Sequence, residues 1–232
     1  MRILHVMAGA EEGGAENIML ESALALATAG VQQAVVTRTN NPFRIKTLRE
    51  AGVRVDTASF NKLWPFPTHA AIAKAMREFK PDIAQFWMGR AGEFALASFR
   101  SRSIGWYGGY YKLERFKNCE WHAGVSYDLL RHIREQGVPE NRSAAIHTFA
   151  EFPDAKPIDR ASVNTPKDAP VALALARLHV KKGLDTLLDA TAKVPGLYVW
   201  IAGAGPIEAE LKAQCTRLGL DDRVRFLGWR ND

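Results

Sequence analysis

The amino-acid sequence predicts an α/β protein built on parallel sheets, on three observations. The stretch Val171–Pro206, VALALARLHVKKGLDTLLDATAKVPGLYVWIAGAGP, alternates apolar runs of strand length with helical patterns. The amino terminus does the same: the apolar run Arg2–Met7 leads through a glycine-rich loop, Ala8–Gly14, into a helical pattern. Between these stretches the alternation continues. A helix that carries the chain from one strand to the next makes those strands parallel.

In the first half, Ala15–Ala29 is helical, with Ile18, Met19, Ala23 and Leu26 on one side and Gly30 as its stop. Strand Gln33–Thr37, helix Phe43–Ala51 and strand Val53–Thr57 follow. Thr68–Phe79 is a helix closed by Lys80-Pro81, Asp82–Trp87 a strand, and Met88-Gly89-Arg90-Ala91 opens a helix running to about Ser98. Ser103–Tyr111, SIGWYGGYY, reads as a loop. Trp121-His122 packs beside the next strand, Ala123–Ser126, and Tyr127–Gln136 is a helix ended by Gly137. Ala144–Phe149 is the last strand of this half. Ala150–Ala169 is polar and proline-rich and reads as an interdomain linker, which gives domains 1–163 and 164–232.

In the second half, Val171–Ala176 is a strand ended by Arg177. A helix from Gly183 sets Leu184, Leu187, Leu188 and Thr191 on one face and stops at Pro195-Gly196. Leu197–Ala202 is a strand, and Gly203-Ala204-Gly205-Pro206 leads into a helix with Pro206 in its first turn. Val224–Leu227 is a further strand. Ligands of open α/β sheets sit at the carboxyl ends of strands. Those ends carry Arg177, Lys181, Lys182, Gly203 and Gly205, residues suited to an anionic, phosphorylated ligand. The same residues also read as solvated loop cations and turn glycines.

Hydrophobic residues make up 47% of the 232, ample for a core, and the formal net charge is +6. That charge suits an anionic substrate or an acidic membrane surface as well as nucleic acid, but no Lys/Arg block stands out as a nucleic-acid arm. Cys119 and Cys215 show no metal or disulfide spacing, which fits a reducing cytosol. The start MRILHV runs straight into a strand, so no signal peptide is expected, and no apolar run is long enough for a bilayer. Gly9 and Gly14 have P-loop spacing, but Ala15-Glu16 stands where Lys and Ser/Thr are needed, and Gly-x-Gly-x-x-Gly is absent. The histidines never pair at helical ligand spacing and no Asp-x-Asp occurs, so no bound metal is expected.

Ala176-Arg177-Leu178, Lys182-Gly183-Leu184-Asp185, Ile201–Pro206 and Arg225-Phe226-Leu227-Gly228 resemble, in order and spacing, the second domain of the retaining glycosyltransferases of family 4. Ala176 departs from the usual Gly. The resemblance implies the GT-B fold: two Rossmann-like domains of parallel sheet with helices on both faces. It implies that Arg177 and Lys182 grip the diphosphate of a nucleotide-sugar donor, which is a substrate and not a cofactor, beside Gly203 and Gly205. Gly13, Gly14 and Glu16 match the family's Gly-Gly-x-Glu loop, which approaches the donor sugar phosphate and the acceptor; Glu16 also reads as a first-turn acid favouring the helix dipole. Arg90 is a candidate acceptor contact or a solvated helix-start residue. Trp106 and Tyr107 are candidate sugar-stacking faces or core residues. Many relatives carry a His near this strand end; none lies in Ser103–Tyr111, so no catalytic residue is assigned.

The implied function is metal-independent sugar transfer with retention. Its acceptor would be a polysaccharide, lipopolysaccharide or lipid-linked glycan, in the cytoplasm or on the inner face of its membrane. Leu63-Trp64-Pro65-Phe66, ahead of Lys74, Arg77 and Lys80, would suit an anionic bilayer surface. A non-catalytic or split partner subunit, and an epimerase or other phosphosugar enzyme, are the alternatives. The family's Glu-x7-Glu motif is absent. The expectation is therefore a partial second domain in which Val171–Ala176, mid-sheet in the order 3-2-1-4-5-6, becomes a bare apolar edge that self-associates or takes a partner chain.

Overall fold

The computed structural model describes residues 1–11, 13–149 and 157–230. The chain divides into two compact units, Met1–Glu151 and Phe152–Asp232.

In the first unit, strands β1 (Arg2–Met7), β2 (Gln32–Thr37), β3 (Arg54–Thr57), β4 (Ile83–Trp87), β5 (Ser103–Tyr107), β6 (Trp121–Gly124) and β7 (Ser143–Ala145) form one parallel sheet in the order β3-β2-β1-β4-β5-β6-β7. Helices α1 (Gly14–Thr28), α2 (Pro42–Glu50), α3 (Phe66–Phe79), α4 (Met88–Gly92) and α5 (Tyr127–Glu135) connect or follow the strands. The period of two along β1 sorts its side chains between two cores. Leu4 and Val6 pack with Ile72, Ala75 and Met76 of α3, while Met7 packs with Met19 of α1, Trp87 and Trp106. Helices therefore cover both faces, and the strands read as continuous apolar runs for that reason.

His5 is the polar exception inside this sheet. Its Nδ1 accepts from Trp87 Nε1 at 3.2 Å, and its Nε2 donates to Gln33 Oε1 at 3.0 Å. Gln33 Nε2 in turn donates to Ala23 O at 2.8 Å. Burial pushes the imidazole pKa down to about 4, so the ring is neutral and its hydrogen bonds are satisfied.

Several boundaries differ from the sequence reading. Ser103–Tyr107 is a strand and not part of a loop; its Gly105 makes room for the Phe116 ring, which a Cβ there would meet at 2.6 Å. The helix expected to reach Ser98 stops at Gly92, and Ala97–Arg102 forms a separate 3-10 turn. Trp121 and His122 lie within β6, and β7 is Ser143–Ala145, so only Ala144 and Ala145 of the expected Ala144–Phe149 are strand.

In the second unit, β8 (Val171–Leu175), β9 (Tyr198–Ala202) and β10 (Val224–Gly228) pair in parallel in the order β10-β9-β8, connected by α6 (Leu184–Ala192) and α7 (Glu208–Arg217). Leu184, Leu188, Val199, Ile201, Leu211 and Cys215 form its core, with Ala172 and Ala174 of β8 packed against it. Among the described residues β8 pairs with β9 alone, so it is an edge strand, as expected. Its alternate residues Leu173 and Leu175 are 55% and 71% exposed.

The expected boundary near Asn164 lies inside this second unit. Arg225 Nε donates to Val163 O at 2.8 Å and its Nη2 to Asn164 O at 2.7 Å, while Trp200 Nε1 donates to Thr165 Oγ1 at 3.0 Å. The end of the proline-rich stretch is thus fastened to β9 and β10. Part of the linker expectation, 150–156, lies outside the described residues. No helix among the described residues is long and apolar enough to cross a membrane.

Candidate functional site

In the second unit the carboxyl end of β8 leads through Ala176 and Arg177 to a 3-10 turn, Val180–Lys182, and then to Gly183 at φ 62° and α6. His179 Nδ1 accepts from Lys181 N at 3.2 Å and fixes the turn. Gly183 caps α6 without a side-chain hydrogen bond, so the first-turn amides keep unspent donors and the positive end of the helix dipole is open. Arg177, Lys181 and Lys182 are exposed, and none of their side chains has a hydrogen-bond or ion-pair partner among the described residues. Three uncompensated cations at or next to an uncapped helix start favour an anion.

Gly203 and Gly205 hold this arrangement together. A Cβ on Gly203 would run into Ala176 O, and one on Gly205 into the backbone of Leu178. The two loops are laced by backbone bonds, Ala176 N to Ala202 O at 3.1 Å and Leu178 N to Ala204 O at 3.0 Å. Gly203 N already donates to Gly228 O at 2.7 Å. The part of Gly203 is therefore to seat the loop bearing Arg177, and its amide is not free for a phosphate.

In the first unit the glycine-rich loop joins β1 to α1. Gly13 caps α1, again without a side-chain hydrogen bond. Glu16 is buried and folds back: its Oε1 accepts from Ala10 N at 2.7 Å. Its side chain occupies the space where a Cβ on Gly9 or Gly13 would stand, whereas a Cβ on Gly14 would meet nothing within 4 Å. Glu16 thus anchors the loop, a role that neither sequence reading of it contained. Arg90, in α4 at the carboxyl end of β4, is exposed and has no partner among the described residues. Met88, two residues before it, adopts φ 67° without being glycine, and Tyr111 Oη donates to its Sδ at 3.8 Å. Such left-handed residues store strain and cluster at functional sites. Nothing in the sequence signals this one.

The sugar-stacking reading of Trp106 and Tyr107 is corrected: both are core residues, 7% and 0% exposed. Trp106 lies on Trp87 with ring centroids 4.7 Å apart, and Tyr107 on Phe116 at 4.2 Å, so their faces are covered. The exposed aromatic of this stretch is Tyr110, whose hydroxyl donates to Asp128. His122 is buried with Nδ1 3.1 Å from Tyr107 Oη, and burial, assisted by Arg100, lowers its pKa to about 4. It is a neutral core histidine. Among the described residues no group of three or more His, Cys, Asp or Glu is placed to hold a metal ion.

Residues 155–232 match the family model described as "Glycosyl transferases group 1". Over its whole length the chain is 32% identical to the lipopolysaccharide core biosynthesis glycosyltransferase LpsD of Rhizobium meliloti, covering 67% of that protein. The chain belongs to the group 1 glycosyl transferases. LpsE of the same organism, also a lipopolysaccharide core biosynthesis glycosyltransferase, is 29% identical, with 68% of its length covered. Among solved structures, Anabaena HepE in complex with UDP and glucose superposes with a TM-score of 0.77 at 22% identity, over 99% of this chain and 70% of that one. The fold of this group 1 glycosyl transferase is thus the GT-B type its motifs predict, and the enzyme class is glycosyltransferase.

Proposed function

We propose that this glycosyltransferase moves a sugar, with retention, from a nucleotide-sugar donor to a lipopolysaccharide core acceptor. The observation that carries the donor half is the unpartnered cation set Arg177 and Lys182 at the uncapped start of α6. As the bond to the transferred sugar breaks, negative charge grows on the departing diphosphate. Fixed cations aimed there stabilise it without reorganisation and without a metal ion. The names of the relatives LpsD and LpsE support the acceptor class, and the HepE complexes with UDP and UDP-glucose make a UDP-sugar the first donor to try. Gly13, Gly14 and Arg90 are proposed on the acceptor side, with Glu16 holding the loop. Acceptor-dependent release of nucleoside diphosphate, assayed across UDP-, GDP- and ADP-sugars with and without EDTA, tests the reading. Turnover that survives EDTA supports it; donor conversion without nucleotide release would favour an epimerase.

A peripheral contact of this cytoplasmic enzyme with the anionic inner membrane surface is proposed at Leu63, Trp64 and Phe66, which are 94%, 62% and 65% exposed just before and at the start of α3. Lys74 there is paired with Glu78, whereas Arg77 and Lys80 have no ion pair among the described residues, so inserted aromatics and charge would both contribute. Trp64→Ala should abolish co-sedimentation with anionic vesicles. Equal sedimentation of variant and wild type would remove the contact.

A further inference from the structure

The loop between β1 and α1 is gripped from the start of α2. Asn40 Nδ2 donates to Gly9 O at 3.1 Å, and Asn41 Nδ2 donates to Glu11 O at 2.7 Å. Arg44 reaches the same segment with its fork: Nη2 donates to Glu11 O at 2.8 Å, and Nη1 and Nη2 reach Ala10 O at 3.4 and 3.5 Å. From the other side Glu16 accepts from Ala10 N. Successive carbonyls at Gly9, Ala10 and Glu11 thus each have a side-chain donor, and both backbone groups of Ala10 are held.

The grip is itself braced. Asn41 is the N-cap of α2, its Oδ1 accepting from Arg44 N at 2.7 Å, so one amide side chain starts the helix and holds the loop. Arg44 is 3% exposed. A guanidinium withdrawn from water this far, and spent partly on a loop's carbonyls, is costly unless its geometry is satisfied. Lysine could not replace the fork, because its ammonium is a point charge without the planar donor pair.

We infer that Asn40, Asn41 and Arg44 are positioning residues for sugar transfer: they fix the path of the loop that delivers Gly13 and Gly14 to the reacting groups. The inference rests on the proposed role of that loop. Gly9 and Ala10 carry little side chain of their own to fix the loop, and small misplacements of positioning groups cost large factors in rate. The clamp supplies the missing rigidity from residues some thirty positions away, through hydrogen bonds spanning 31, 30 and 33 residues.

The test compares Arg44→Lys, Arg44→Ala and Asn40→Ala with the wild-type chain in three readouts. These are amide hydrogen exchange of residues 9–14, the transfer rate at saturating donor, and UDP binding by calorimetry. The expected result is exchange at least tenfold faster in the loop, a transfer rate at least tenfold lower, and unchanged UDP affinity and stoichiometry. Low-millimolar methylguanidinium should restore part of both losses in Arg44→Ala and none in Asn40→Ala. Wild-type exchange protection in β4 and β5 of the same unit separates misplacement from unfolding; should the Arg44 variants lose that protection, Asn40→Ala, which leaves no buried charge behind, decides. An active wild type whose variants loosen the loop yet keep their rate overturns the positioning role and leaves the proposed function standing. A wild type that transfers from no donor counts against the proposed function. The clamp then stands on exchange, where wild-type protection in all variants overturns it.

Discussion

Both units set a glycine-bearing turn at the carboxyl end of a strand, and they build it by opposite means. In the first unit side chains hold the loop: Glu16 grips Ala10 N while Asn40, Asn41 and Arg44 take the carbonyls. In the second unit backbone holds backbone, with Gly203 and Gly205 pressed against Ala176 and Leu178. The difference sets what each unit can offer a ligand. The first spends its buried carboxylate, and part of its buried guanidinium, on its own loop. The second fixes its turn with backbone contacts and the single imidazole of His179, and leaves the side chains of Arg177, Lys181 and Lys182 unspent. Unspent positive charge beside an uncapped helix is the feature on which the proposed diphosphate site in the second unit rests.

The sharpest way to break this comparison is to add a methyl group. Gly205→Ala drives a Cβ into the Leu178 backbone, which cannot swing aside. It is expected to destabilise the second unit by about 4 kcal/mol or more. Gly13→Ala meets only the end of the Glu16 side chain, so its cost should be nearer 1–2 kcal/mol, roughly that of a local overpacking. Urea unfolding of the two variants measures both. Equal losses would show that the two turns are built alike.

Acid should separate the units next. His5 and His122, both buried in the first unit, have pKa values lowered to about 4 by burial. The unfolded chain binds protons at these rings from about pH 6.5 downward, while the folded chain does not until about pH 4. Stability is therefore full above pH 6.5 and is lost as pH falls through that window, on the order of 3 kcal/mol for each histidine. Hydrogen exchange at pH 7 and pH 5 should show protection falling in the first unit far more than in the second. His5→Gln should flatten the dependence. A pH-independent first unit would contradict the neutral assignment of both rings.

The smallest effect on stability is expected at the β8 edge. Leu175 is 71% exposed, so Leu175→Lys should change unfolding free energy by no more than about 0.5 kcal/mol. A charge on an exposed edge discourages strand pairing between chains. If this edge self-associates, one of the two outcomes the sequence leads us to expect, the variant should sediment as a smaller species than wild type at the same concentration. Identical sedimentation would place self-association elsewhere.

Much of the second unit was legible because its signals are local. Apolar runs mark β8 and β9, Pro195-Gly196 ends a helix, and the sequential order β10-β9-β8 follows from short crossovers. What escaped the sequence was set by contacts between distant residues. Ser103–Tyr107 looked like a loop because of its glycines and aromatics, but Gly105 is there to admit Phe116 and the aromatics face inward. The proline-rich stretch looked like a linker throughout, yet Arg225, 62 and 61 residues further on, fastens Val163 and Asn164 to β10. Arg44 carried no pattern at all; only the fold brings it to Ala10 and Glu11. Arg177 and Lys182 were named from their place in motifs, and their lack of partners became visible only in three dimensions.

Calorimetric titration of UDP and of uridine into wild type, Arg177→Ala and Lys182→Ala tests the central claim most directly. Each substitution is expected to weaken UDP binding by about 1.5–3 kcal/mol, the usual worth of a charge-assisted hydrogen bond, while leaving uridine binding unchanged. Wild-type affinity for UDP in both variants would return Arg177 and Lys182 to the role of solvated loop residues and contradict the assignment of the diphosphate to the second unit.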